Sequence, residues 1–109
     1  MMVELYVFSG RTNPRWQLSS EDAERLRALE AHLDRSTSSP PASPGLGYRG
    51  FAYGEINALH HAYRGYVTTP ETVLSDPERT IERYLLDRLP LAFEQLRRRI
   101  NDDFTPPLR

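Results

Sequence analysis

An α+β fold, with a small antiparallel or mixed sheet of three to four strands and two to three helices on one face, is what the sequence predicts. Three observations lead there. Val3, Leu5 and Val7 alternate with Glu4, Tyr6 and Phe8 at the period of a strand. Ala23, Leu26, Leu29 and Leu33, and later Ile81, Tyr84, Leu85 and Leu89, recur at the period of a helix. Between the two helical stretches lies an aromatic and Gly-rich region too short for repeated parallel crossovers, which argues against a doubly wound sheet.

The first strand, Met1 to Phe8, has apolar or aromatic residues on both faces and so reads as central. Ser9-Gly10-Arg11-Thr12-Asn13-Pro14 ends it with a cluster of turn formers, and a loop carries Trp16. Ser19 stands three residues before Asp22, the spacing of an N-terminal capping box, and Leu18 is placed to staple onto Ala23. The helix opened there carries the exposed pair Glu21 and Arg25 and fades near Asp34. Residues 36–45, rich in Ser and Pro, offer nothing to bury and read as a flexible surface loop.

Tyr48-Arg49-Gly50-Phe51 is echoed by Tyr63-Arg64-Gly65-Tyr66, which predicts two strands with similar ends. The span Glu55 to Ala62 between them reads as strand with a connecting turn, a short helical turn being the alternative. Asp76-Pro77 is a helix start, with a cap residue followed by Pro at the first helical position. Pro90 either kinks that helix or begins another, on which Ala92, Phe93, Leu96 and Ile100 continue the period and Arg97, Arg98 and Arg99 face the negative end of the dipole. The tail 101–109 reads as irregular.

The 109 residues fit one domain spanning 1–109, which buries roughly two-thirds of its unfolded surface. With 39% hydrophobic and 27% charged residues the chain is of ordinary globular type. Fourteen basic against fifteen acidic residues leave a net charge of -1, so no surplus of positive charge draws it to nucleic acid or to an anionic membrane. All the basic residues are Arg, for which GC-rich codon usage is a simpler account than a preference for phosphate forks. Without Cys there is no disulfide, no thiolate nucleophile and no cysteine-based metal site. The strand-like start lacks the form of a signal peptide and no apolar run approaches the ~20 residues of a membrane span, which makes a cytoplasmic location the default expectation.

Ser9-Gly10-Arg11-Thr12-Asn13-Pro14-Arg15-Trp16 and Leu46-Gly47-Tyr48-Arg49-Gly50-Phe51 resemble two segments of a family of small bacterial proteins, Ser-Gly-Arg-x-Asn-Pro-x-Trp and Leu-Gly-Tyr-Arg-Gly-Phe. The resemblance covers about a seventh of the chain. It implies a natural single-domain family and brings no activity, cofactor or site residue with it.

Read physically, Arg11, Asn13 and Arg15 sit on a sheet rim beside Trp16, where guanidinium forks and free backbone N–H groups suit an anion. The structural reading of the same residues makes Gly10 and Asn13 turn formers, Pro14 a stiffener and Trp16 a plug at the core edge. Arg49 and Arg64 are further candidate anion ligands. His60 and His61, being adjacent, point apart and do not chelate one metal; either could move a proton, with Glu55 the nearest acid in sequence. No nucleotide loop, metal motif or nucleophile elbow is present, and no cofactor is expected.

Tyr48, Phe51, Tyr53, Tyr63 and Tyr66, interleaved with Arg49 and Arg64, read as cross-strand packing or, where exposed, as a binding surface, Tyr and Arg being enriched in hot spots. The leading expectation is therefore a non-catalytic binding or accessory protein with a protein partner or a second copy of itself, and with no affinity for nucleic acid or membrane. The alternative is a small enzyme or ligand-binding domain for a carboxylate or phosphate. A convex aromatic patch favours the first, and a cleft in which Arg and His converge favours the second.

Overall fold

The computed structural model describes residues 1–42 and 45–104. Seven strands are formed: β1 (Met2–Leu5), β2 (Arg15–Gln17), β3 (Asp34–Arg35), β4 (Phe51–Glu55), β5 (Ala58–Tyr63), β6 (Tyr66–Thr68) and β7 (Val73–Ser75). Three helices accompany them, α1 (Ser20–Ala31), α2 (Thr80–Leu86) and α3 (Glu94–Phe104), the last entered through a 3₁₀ turn at Leu91–Phe93. The strands form one sheet in the order β2-β1-β4-β5-β6-β7-β3, with every pairing antiparallel.

The fold is thus α+β with three helices, but its sheet has seven strands instead of the expected three to four. The additional strands are two or three residues long, too short for a period of two to register in sequence. Trp16, expected in a loop, lies on β2. β1 is an inner strand, paired to β2 on one side and β4 on the other, and Glu55 to Ala62 is strand, turn and strand.

Alternation divides the sheet into two faces. Leu5, Phe51, Ala62, Val67 and Leu74 stand opposite one another across five strands. With Val3 and Tyr53 they join Leu26 of α1, Ile81 and Leu85 of α2 and Ile100 of α3 in a single core. The intervening residues Glu4, Ala52, His61 and Thr68 form the reverse face. Gly50 precedes β4 at φ +92°, and a Cβ there would collide with the carbonyl oxygen of Ala62, so only Gly lets the two backbones approach.

Capping follows the sequence at α1, where Ser19 Oγ accepts from the Asp22 N–H at 3.1 Å. At α2 the buried Asp76 carboxylate accepts from the N–H groups of Thr80 and Ile81 at 3.0 and 2.9 Å. The cap residue was legible, but the helix starts three residues later than Pro77 implies. Pro90 begins the turn into α3 and does not kink α2. Residues 101–104, expected as irregular tail, complete α3, because Phe104 is buried against the Tyr48 ring at 5.7 Å. Residues 105–109 of the expected tail, and 43–44 of the expected loop, lie outside the described residues. The start of that loop is held, with the Ser36 N–H donating to Val73 O at 2.8 Å and Ser38 Oγ within 2.9 Å of Tyr66 Oη.

Candidate functional site

The residues singled out in the sequence are dispersed by the fold. Asn13 is structural: its Oδ1 accepts from the N–H groups of Val7 and Phe8 at 3.1 and 2.8 Å, so two of the backbone donors of the rim are already engaged. Arg15 pairs with Glu4 at 3.3 Å on the reverse face. Trp16 packs edge-on to Phe51, as a plug at the core edge does. Arg49 donates to Phe8 O at 2.6 Å and Arg64 to Tyr63 Oη at 3.0 Å. His60 and His61 lie on opposite faces, as adjacent strand residues must, and His61 Nε2 donates to Arg49 O at 2.8 Å. Among the described residues no three acidic or His side chains gather as metal ligands.

Of the aromatic set, Phe51, Tyr53 and Tyr63 are buried, while Tyr48 and Tyr66 are half-buried. Three of the five therefore present no docking surface, and cross-strand and helix–sheet packing occupies them. The half-buried Tyr48 packs beside two of them, with its ring 5.9 Å from Phe51 and 5.8 Å from Tyr63. Its hydroxyl donates to the buried Glu82 at 2.5 Å.

Glu82, 1% exposed, accepts four hydrogen bonds. One oxygen accepts from Tyr48 and from Arg79 Nη2 at 2.9 Å, and the other from the Gly65 N–H at 3.0 Å and Arg79 Nε at 3.1 Å. These bonds tie α2 to the β5–β6 turn and to the segment before β4. Burial, then the Glu82 charge and hydrogen bond, hold the Tyr48 phenol far above its ordinary value of 10.0.

Arg11, one of the expected anion ligands, opens onto the most voluminous of the hollows described. Its guanidinium lies 3.8 Å over the Phe8 ring, on one side of a groove of about 850 Å³ between the β1–β2 loop and the start of α3. The far wall is Leu91, Phe93, Leu96 and Arg99, and Leu91 is 86% exposed. Glu94 in this wall is already paired to Arg97 at 2.5 Å and Arg98 at 3.5 Å. Among the described residues, neither Arg11 nor Arg99 meets a carboxylate. The groove is mixed in character, with Leu91, Phe93 and Leu96 beside Thr12, Glu94 and Gln95, and it carries two guanidiniums that meet no carboxylate among the described residues.

Protein-family models, curated proteins and solved structures yield no match to this chain.

A second recess, of about 390 Å³, lies between α1 and the β4–β5 hairpin, with Leu26, Tyr53, Ala58 and His60 in its wall. Glu30 Oε1 accepts there from Tyr53 Oη and from His60 Nδ1, both at 2.6 Å. The acid beside His60 is thus Glu30 and not Glu55, its nearest acid in sequence. Burial, then the bond to Glu30, raises the Tyr53 phenol far above 10.0. Sequence reasoning missed Glu30, Arg99 and Leu91. Glu30 follows Leu26 by four residues and reads as a solvated helix position, and its partners lie 23 and 30 residues away with no local signal.

Proposed function

We propose that this protein is a non-catalytic binding module that docks an acidic, apolar segment of a protein partner in the groove between the β1–β2 loop and α3. The observation that carries the reading is the pairing of two guanidiniums without acid partners among the described residues, Arg11 and Arg99, with the apolar side chains of a wall that leaves Leu91 86% exposed. Arg and aromatic side chains supply a disproportionate part of binding energy, and an exposed apolar patch rimmed by charge is the usual form of a docking surface. The groove retains the Arg11 loop as the contact expected from sequence. It replaces the aromatic sheet face, most of which is in the core, with the apolar start of α3.

The test is a titration with a synthetic peptide alternating glutamate with phenylalanine and leucine, alongside a lysine-for-glutamate counterpart. The acidic peptide should bind and its affinity should fall with added salt. Arg11→Glu and Arg99→Glu should each weaken it roughly tenfold, and Arg25→Glu on the exposed face of α1 should leave it unchanged. Equal binding of the lysine peptide would refute the reading. A concentration-dependent dimer that Leu91→Asp abolishes would replace the foreign partner with a second copy of the chain.

A further inference from the structure

The recess between α1 and the β4–β5 hairpin is independent of the groove, and its chemistry is different. We propose that it binds a small neutral molecule with an apolar body and a hydroxyl group, of the phenol class, whose O–H donates to His60 Nε2. A carboxylate oxygen only accepts hydrogen bonds, so the ring nitrogen facing Glu30 Oε1 at 2.6 Å, Nδ1, carries a proton. In the neutral imidazole Nε2 is then the acceptor. Among the described residues it has no hydrogen-bond partner. Tyr53 donates to the same Glu30 oxygen at 2.6 Å, and the buried phenol and the helix together fix the carboxylate that fixes the ring. Such a second partner sets the tautomer and orientation of the ring.

The walls decide the rest of the ligand. Leu26 and Ala58 offer apolar surface, and about 390 Å³ falls within the range that accommodates small organic molecules. Glu30 and Glu55 line the recess together with Arg27, so a carboxylate ligand meets two acids for one guanidinium. A neutral donor gains the His60 bond without that repulsion. A phenol fits on both counts, being an apolar ring with an O–H that is a strong donor. Its O–H donates to Nε2 on one side of the ring while Glu30 accepts from Nδ1 on the other. His60 is the contact residue and Glu30 a positioning residue.

The experiment uses p-cresol, its methyl ether and benzoate as probes on the whole chain, followed by the ring ¹⁵N and ¹³C signals of His60. The proposal expects p-cresol to move those signals and to raise the melting temperature, with the ether binding roughly tenfold more weakly for want of the donor. His60→Phe keeps the ring shape and should erase the preference for p-cresol over its ether. Glu30→Gln should weaken p-cresol while leaving the ether unchanged, a split that a merely structural role would not produce. Equal binding of p-cresol and its ether to the unmodified protein, tighter binding of benzoate, or no change at His60 up to the solubility of p-cresol would overturn the proposal. Because those comparisons need no variant, the outcome stands even if a substitution fails to fold.

Discussion

The groove beside α3 and the recess beside α1 differ in how their charges are spent. In the groove, Arg11 and Arg99 have no acid partner among the described residues, and Leu91 of the apolar wall is exposed while Leu96 belongs to the core. In the recess Glu30 holds His60 and Tyr53 at 2.6 Å and leaves one nitrogen of the His60 ring over, while Arg27 and Glu55 line the same recess without an ion pair among the described residues. Glu82 marks the limit of the series, with four donors on its two oxygens and nothing left to offer. A polar group in full use serves the fold, one in partial use positions a contact, and a cation without an acid partner is left to meet one from outside.

The largest expected effect is at the saturated end. Glu82→Ala leaves Arg79, the Tyr48 hydroxyl and the Gly65 N–H without their acceptor, and should cost about 3–5 kcal/mol in denaturant unfolding. A loss below about 1 kcal/mol would show that the network is dispensable and that saturation is no guide to structural weight.

Two leucines then separate recess from groove. Leu26 is fully buried between α1 and the sheet, and Leu26→Ala should cost about 2–5 kcal/mol, whereas Leu91→Ala should fall within about 0.5 kcal/mol of zero. Similar costs at the two positions would mean that the groove wall is core and not surface.

Alkali should discriminate next. Tyr48 and Tyr53 are held above their ordinary value of 10.0, chiefly by burial, so they keep their protons in the folded state when the unfolded chain loses them. The unfolded state then binds fewer protons. Their contribution is complete below pH ~10 and is lost above it, at about 1.4 kcal/mol per pH unit for each. Tyr48→Phe and Tyr53→Phe should each flatten the alkaline slope by that amount, which equilibrium unfolding as a function of pH would measure. An unchanged slope in either variant would place its hydroxyl in water.

How much of this was legible in sequence depends on the range of the interactions. The α1 cap, the Asp76 carboxylate, the β4–β5 hairpin and the inner place of β1 follow from residues within a few positions of one another, and the pattern carries them. Strands of two or three residues have no pattern of their own and form because a neighbouring strand pairs with them, as β7 does for Asp34 and Arg35. The groove was legible only at Arg11, and the recess at His60 and Tyr53. Arg99 reads as one of three arginines on a helix, and nothing near it in sequence says that its neighbours Arg97 and Arg98 take Glu94 while it faces the β1–β2 loop. Tyr53 and Tyr63 were visible as aromatic residues, but their burial is decided by helices far along the chain.

The smallest expected effect on stability, and the largest on function, falls on Arg11 and Arg99, which make no ion pair among the described residues. Arg11→Glu and Arg99→Glu should each leave the melting free energy within about 0.5 kcal/mol of the unmodified protein. The most direct measurement of the docking claim is the map of backbone amide shifts when the acidic, apolar peptide is added to the ¹⁵N-labelled chain. The account predicts that the shifts cluster at Phe8, Arg11, Thr12 and residues 91–99 and vanish in the Arg11→Glu, Arg99→Glu double variant. Shifts centred instead on Met2, Ile56 and Leu59, the exposed apolar residues of β1 and the β4–β5 hairpin, or shifts that survive the double variant, would contradict it.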